Sequence, residues 1–212
     1  MNIARLPLGA LAANCYILEG EDNLAVVIDP ASSAEVEAFV DSINLQVGGI
    51  IITHGHFDHF AGVAALKKRY PRALIYAPEY DEEMLSSEEK SWAKFMQGAE
   101  FKPVRPDRTF NDGDRFSLCG IEFSVMNAPG HTAGSCLLFC EDSEGFFSGD
   151  VLFRHGIGRT DGYSGSTSQM IKTLGRIAEL KGEYRVFTGH GDMTTLGEEK
   201  IYNPFVKNHP KN

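Results

Sequence analysis

Short apolar blocks punctuate the first third of the chain, and their period changes from one block to the next. The run 25–28, ended by Asp29-Pro30, predicts a buried strand. Ser32 and Glu35 follow at capping-box spacing, and Val36, Phe39, Val40 and Ile43 then fall on one face of a helix. Residues 49–53 read as a second strand, and Phe60, Val63, Ala64 and Leu66 predict a helix that must stop before Pro71. A further strand is expected at 74–77. The acidic stretch 79–100 is helix-compatible, with Met84, Leu85, Trp92, Phe95 and Met96 available to cover a core.

The second half opens on a turn signal, Asn111-Asp-Gly-Asp114, followed by a strand at 115–118 and an alternating one in which Ile121, Phe123 and Val125 share a face. Strands are also expected at 135–139, 146–148 and 184–188. Ser166 and Gln169 repeat the capping-box spacing, and Met170, Ile171, Leu174, Ile177 and Ala178 predict an amphipathic helix that ends near Gly182. With no repeat, linker or charge block, the pattern predicts one α/β domain over residues 1–212, made of two roughly equal halves.

Composition narrows the function classes. Over 212 residues, 42% hydrophobic and 23% charged side chains describe a folded rather than a disordered chain. No apolar run approaches the ~20 residues that a bilayer span requires, so no membrane partner is expected. A formal charge of −9 repels phosphate backbones, which disfavours a nucleic-acid partner. Residues 5–13 imitate a secretion signal, but Pro7 and Gly9 interrupt it; the opening is read as a strand and loop of a cytoplasmic protein. Cys15, Cys119, Cys136 and Cys140 form no C-x-x-C pair and are read as reduced thiols.

Chemistry concentrates in Thr53-His54-Gly55-His56-Phe57-Asp58-His59, at the carboxyl end of a predicted strand. In extended chain His54 and His56 project to one side and can reach one ion, whereas Asp58 and His59 begin a helix and can turn toward a second. Gly55 allows the bend between them. Imidazole and carboxylate suit zinc, iron or manganese. The plain alternative is a solvent-exposed turn with Asp58 as a helix cap, but crowding four titratable groups without a cation is costly. His131, Asp150 and His190 each end a predicted strand beside a glycine and are the completing candidates. His155 and His209 are read as exposed, and Glu82-Glu83 and Glu88-Glu89 as a solvated helical face.

The series His54, His56, Asp58, His59, His131, Asp150 and His190 resembles the metallo-β-lactamase superfamily, most closely its short glyoxalase II-like (hydroxyacylglutathione hydrolase-like) members. The likeness extends to Pro7-Leu-Gly9, Asn14-Cys-Tyr16, Pro129-Gly-His-Thr132, Gly149-Asp-Val-Leu-Phe153 and Asn203-Pro-Phe205. It implies a four-layer αββα sandwich with the site along one edge of its two sheets. It further implies that His54, His56 and His131 hold one metal, that Asp58, His59 and His190 hold the other, and that Asp150 bridges them. Two divalent ions, zinc first and iron or manganese as alternatives, would activate a bridging hydroxide to attack an acyl carbonyl, with Asp58 as the catalytic residue that orients it.

The expected substrate is a small thioester such as an S-2-hydroxyacyl-glutathione, because a thiolate leaves without a general acid. Glutathione contacts do not carry over from the long enzymes of the family: the residues after His190 are too few for their C-terminal helical region, and the loops 156–162 and 189–192 differ from theirs. Arg154, Arg159 and Tyr163 are candidate contacts for a substrate carboxylate, against a surface loop whose arginines pair with Asp161 or another nearby acid. Gly158-Arg-Thr-Asp161 and Glu198-Glu199 before Asn203-Pro204 also resemble persulfide dioxygenases, in which His54, His131 and Asp150 would hold a single iron. Hydrolysis of a lactone or another ester is a further alternative, and the oligomeric state is left open.

Overall fold

The computed structural model describes residues 1–96, 98 and 100–207. The first half runs β1 (Ile3–Leu8), β2 (Ala13–Glu19), β3 (Leu24–Ile28), α1 (Ser33–Ser42), β4 (Gln46–Ile51), α2 (Phe57–Phe60), α3 (Val63–Arg69), β5 (Leu74–Pro78), α4 (Glu82–Leu85) and β6 (Arg108–Phe110). The second half runs β7 (Arg115–Leu118), β8 (Ile121–Asn127), β9 (Cys136–Cys140), β10 (Gly145–Gly149), β11 (Leu152–Phe153), β12 (Gly156–Ile157), α5 (Thr167–Glu179), β13 (Arg185–Thr188), β14 (Thr194–Thr195), α6 (Leu196–Tyr202) and α7 (Pro204–Lys207). One six-stranded sheet has the order β1-β2-β3-β4-β5-β6 and the other β14-β13-β10-β9-β8-β7.

Period-two alternation in the strands creates the layers. On β3, Ala25 and Val27 join the cluster formed with Val36 and Val40 of α1 and Val63 and Leu66 of α3, whereas Val26 and Ile28 face the other sheet. On the second sheet, Ile121, Phe123, Val125, Leu138, Phe147 and Phe187 meet them across the middle. Leu137, Phe146 and Val186 point the opposite way, onto Met170, Leu174 and Ile177 of α5. Three apolar layers separated by two sheets give the metallo-β-lactamase-type αββα sandwich that the resemblance implies, and the predicted shared face of Ile121, Phe123 and Val125 is the one turned to the middle.

The structure departs from the pattern in particular places. The opening forms two paired strands rather than one, since β1 and β2 run antiparallel over six partners. Segment 79–100 is not a long helix: it contains a 3₁₀ turn at Glu79–Asp81, the single turn α4 and another 3₁₀ turn at Ala93–Phe95. Its apolar residues lie too far apart for a helical stripe, and Trp92 takes a left-handed backbone conformation, φ 65°, that an α-helix cannot contain. Helices α6 and α7 lack a strong apolar period and the sequence pattern passes over them. Ile171, expected on the buried face of α5, is exposed. The cap of α5 is as expected, with Ser166 Oγ accepting from Gln169 N at 3.4 Å, whereas Ser32 pairs with the Glu35 side chain and caps no backbone N–H of α1. Among the described residues no helix is long and apolar enough to cross a membrane.

Loops at one edge tie the halves together. Asn14 N donates to Gly189 O at 2.7 Å, Gly189 N donates to Gly149 O at 2.8 Å, and Tyr16 Oη donates to Thr188 O at 2.8 Å. The β10–β13 register shifts between Phe147 and Gly149, immediately before Asp150.

Candidate metal centre

All seven sequence-predicted site residues meet at that edge. Donor atoms of His54, His56 and His131 lie within 4.8 Å of one another, and so do those of Asp58, His59 and His190. Asp150 stands between the groups, with Oδ1 3.4 Å from His59 Nε2 and Oδ2 3.6 Å from both His131 Nε2 and His190 Nε2. His54, His56, His59 and His131 are buried, and the side chains of Asp58 and Asp150 nearly so.

The hydrogen bonds behind the imidazoles determine which nitrogen each presents. Asp29, the left-handed residue that ends β3 at φ 53°, accepts from Thr53 N at 2.7 Å, from Thr53 Oγ1 at 2.6 Å and from His59 Nδ1 at 3.0 Å. Because the Thr53 hydroxyl proton goes to Asp29, its oxygen accepts from His54 Nδ1 at 3.1 Å. His131 Nδ1 donates to the Arg159 carbonyl at 2.8 Å and His190 Nδ1 to the Leu11 carbonyl at 3.1 Å. Four rings are thereby left with an Nε2 lone pair turned inward. Asp29 also lies near donor atoms of His54 and His59, but its oxygens are already engaged, so it supports the site from behind.

This arrangement fits divalent metal. His59 Nε2 and His190 Nε2 face each other at 3.2 Å with both Nδ1 protons already committed, so an extra proton or a cation must lie between these opposed lone pairs; His56 Nδ1 and His131 Nε2 stand 2.8 Å apart. Among the described residues, buried His54 Nε2, His56 Nε2 and Asp150 Oδ1 lack a hydrogen-bond partner. Burial and the neighbouring imidazoles hold His54 well below the usual histidine pKa, and burial beside His131 pushes His56 down to about 3, so neither supplies the missing positive charge as a proton. Burial opposes a charge on His59 too, yet the carboxylates of Asp150, Asp58 and Asp29 outweigh it and hold its pKa well above the usual value. For Asp150 burial is overcome by His59, His131 and His190, and its carboxyl lies below the ordinary range. Five imidazoles and two carboxylates that converge with unpartnered buried donor atoms are a donor set suited to divalent cations.

Sequence reasoning passed over several supports. Asp81, fully buried, accepts from Gly55 N and Gly134 N at 2.8 Å each and from Thr132 Oγ1 at 2.6 Å, which joins the His54–His59 loop to the His131 loop. In the sequence it is one acid of an acidic run, and only the fold distinguishes it. Trp92 stacks on His56, with ring centroids 4.6 Å apart. Arg159, Arg154 and Tyr163 each pair with a carboxylate of the protein itself, in exposed contacts. Arg159 grips Asp161 with two bonds of 2.6 and 2.8 Å, Arg154 lies near Asp192 and Glu198, and Tyr163 Oη donates to Glu83 at 2.9 Å. His155 is exposed, as are Glu82, Glu83, Glu88 and Glu89; His209 lies outside the described residues.

Gly189 is required by close approach. A Cβ there would collide with Asp150 Oδ1 and come within 2.7 Å of the Gly149 carbonyl carbon. Gly189→Ala is expected to fold but to bind metal about 10–100-fold more weakly, as for other disturbances of ligand orientation. Titration with a chromophoric chelator checks it, and wild-type affinity would refute the crowding argument.

The model of the metallo-beta-lactamase superfamily matches residues 8–190. The chain is 32% identical over 209 residues to "Hydroxyacylglutathione hydrolase GloC" of Haemophilus influenzae, covering 97% of this chain and 98% of that one. Among solved structures it is similar to the B3 metallo-β-lactamase BLEG-1, with TM-score 0.90, 30% identity and coverage of 98% and 100%. It is also similar to TTHA1623 in a di-iron-bound form, with TM-score 0.84, 31% identity and coverage of 95% and 99%.

Proposed function

Because the chain belongs to the metallo-β-lactamase superfamily, we propose that it is a binuclear metal-dependent hydrolase of thioesters such as S-2-hydroxyacyl-glutathiones. The same reading takes residues 1–212 as a single hydrolase domain acting in the cytoplasm on a small molecule. The observation that carries it is the second donor group: Asp58, His59 and His190 converge beside His54, His56 and His131, with Asp150 between. A single-iron dioxygenase would need only His54, His131 and Asp150. The name of the GloC relative supports the thioester, and the di-iron form of TTHA1623 keeps iron beside zinc as an occupant.

His54, His56 and His131 would hold one divalent cation, Asp58, His59 and His190 the other, and Asp150 both. When bound, the pair would supply Lewis-acid polarisation of the acyl carbonyl and a water acidic enough to ionise near neutral pH. The residues behind them keep the donors in order: Asp29 holds the proton on His59 Nδ1, and through Thr53 it fixes the proton on His54 Nδ1. Asp58, with Oδ2 3.3 Å from His190 Nε2 and an edge on the adjoining cavity, accepts a hydrogen bond from the attacking water and orients it. The departing thiolate, of ordinary thiol pKa near ~8.5, leaves without a proton donor.

Elemental analysis and kinetics on one sample test this. Purified protein is expected to hold two equivalents of metal and to hydrolyse S-lactoylglutathione, to lose both with a strong chelator, and to regain both on reloading. Two metals without cleavage of any thioester would overturn the reaction. Oxygen uptake with glutathione persulfide by iron-loaded protein would transfer the assignment to the dioxygenase reading, and cleavage of a β-lactam or a lactone alone to another hydrolase of the family.

A further inference from the structure

A cavity of about 780 Å³ adjoins the candidate metal centre and is walled by the segments that steady its histidines. Leu11, whose carbonyl holds His190, and Arg159, whose carbonyl holds His131, both line it, and so do Asp58 and Trp92. Its volume is that of a small-molecule site. The wall is apolar over most of its area, with Leu11, Ala31, Phe57, Trp92, Phe95 and Met96 contributing. Leu11 and Phe95, 59% and 70% exposed, turn apolar surface to solvent on the same wall.

The wall offers an anionic occupant little. With Asp58 committed to the metal pair, the charged side chains left among the described lining residues are Glu100, a carboxylate, and Arg159, which pairs with Asp161 and lies 4.8 Å over the Trp92 ring. Glutathione carries two carboxylates against one ammonium, and the excess would have to compete with Asp161 for Arg159 beside Glu100. An uncharged arm has no such need: it gains the burial of Leu11 and Phe95 and a flat indole face to lie on.

We propose that this cavity takes an uncharged apolar arm of the thioester, aromatic or branched alkyl, in preference to the charged tripeptide of glutathione. The inference rests on the thioester reading for its substrate, but the cavity can be tested by binding alone. The arm could belong to the acyl group or to the thiol carrier, and both present the same chemistry to the wall.

Trp92 is the single tryptophan of the chain, so energy transfer from it reports bound probe from one donor in the cavity wall, and the Phe95 and Tyr202 variants assign that signal to the cavity or to the rest of the surface. Metal-loaded protein is titrated with N-phenyl-1-naphthylamine, a neutral apolar fluorophore. Saturable transfer is expected, with Phe95→Asp weakening binding about tenfold or more and Tyr202→Asp, an exposed aromatic outside the cavity, leaving it unchanged. Three thioesters then locate the arm: S-lactoylglutathione, an aromatic acyl ester of glutathione, and a lactoyl ester of an uncharged aryl thiol. One of the last two is expected to exceed S-lactoylglutathione about tenfold in kcat/KM, and Phe95→Asp to erase the advantage. Absence of transfer, transfer insensitive to Phe95→Asp, or a preference for S-lactoylglutathione over both would overturn the proposal while leaving thioester hydrolysis in place. Saturable, Phe95-dependent binding without cleavage of any thioester would support the cavity assignment and overturn the reaction instead.

Discussion

Asp150→Asn is expected to lower kcat/KM for a thioester by at least about 10³-fold and to reduce the bound metal from two equivalents to one or none. Among the seven candidate donors Asp150 is the carboxylate that lies against both groups, at 3.4 Å from His59 Nε2 and 3.6 Å from His131 Nε2 and His190 Nε2. Its replacement removes the negative charge the two sites would share and leaves an amide that can donate a hydrogen bond to a facing imidazole. Thermal stability gives the substitution a second signature, since metal that binds only the folded chain stabilises it and its removal costs that stability. Saturation at one hundred times Kd stabilises the native state by about 2.7 kcal/mol per site, roughly 5–10 °C in Tm for a chain of this size. The gap between loaded and metal-free protein should shrink markedly in Asp150→Asn, because the variant binds less metal and so gains less stability on loading. Calorimetry on the four samples checks this; equal gaps in variant and wild type would mean that Asp150 is not shared between cations.

Asp29→Ala should be the most damaging substitution at a residue that donates nothing to a metal. Its carboxylate takes three hydrogen bonds in a position only 2% exposed: from Thr53 N, Thr53 Oγ1 and His59 Nδ1. Alanine leaves the Thr53 N–H and the His59 ring proton without an acceptor, at about 1–3 kcal/mol each. It also frees the Thr53 hydroxyl to rotate, so His54 loses its fixed tautomer along with His59. The expected result is a loss of about 3–5 kcal/mol of stability, seen in denaturant unfolding, and a fall of about 10–100-fold in metal affinity. Asp29→Asn separates the two effects, since asparagine tolerates the left-handed backbone and keeps one acceptor oxygen. It should recover much of the stability but not the affinity, because one acceptor oxygen cannot replace two: with the oxygen toward Thr53 Oγ1 and His59 Nδ1 the amide NH2 meets the Thr53 N–H, and the flipped amide leaves Thr53 Oγ1 and His59 without an acceptor. An Asn variant that binds metal as wild type does would show that the tautomers are set by something else.

The layered core was readable because strands bury alternate residues. Ile121, Phe123 and Val125 announce a half-buried strand by spacing alone, and the structure turns them to the layer between the sheets. Segment 79–100 was not readable for the opposite reason. Its apolar residues serve three short turns and a cavity wall rather than one helical face, so periodicity misleads, and the left-handed Trp92 packs against His56 and Arg159, both distant in sequence. Arg154, Arg159 and Tyr163 were ambiguous in sequence because an arginine before an acid reads equally as an ion pair or an anion site. Their carboxylate partners come from Asp161 nearby in the chain and from Asp192, Glu198 and Glu83 across the fold.

The sequence by itself determined the two α/β halves and singled out seven candidate donors: His54, His56, Asp58 and His59 are packed within six positions, and His131, Asp150 and His190 each sit beside a glycine, so short-range spacing is enough to mark them. Only the tertiary structure decided which nitrogen each ring offers and that the donors form two groups about one carboxylate. Those features depend on hydrogen-bond acceptors delivered from afar, Asp29 to His59 across 30 residues and the Leu11 carbonyl to His190 across 179, and a proton goes to whichever ring nitrogen finds an acceptor in the folded chain.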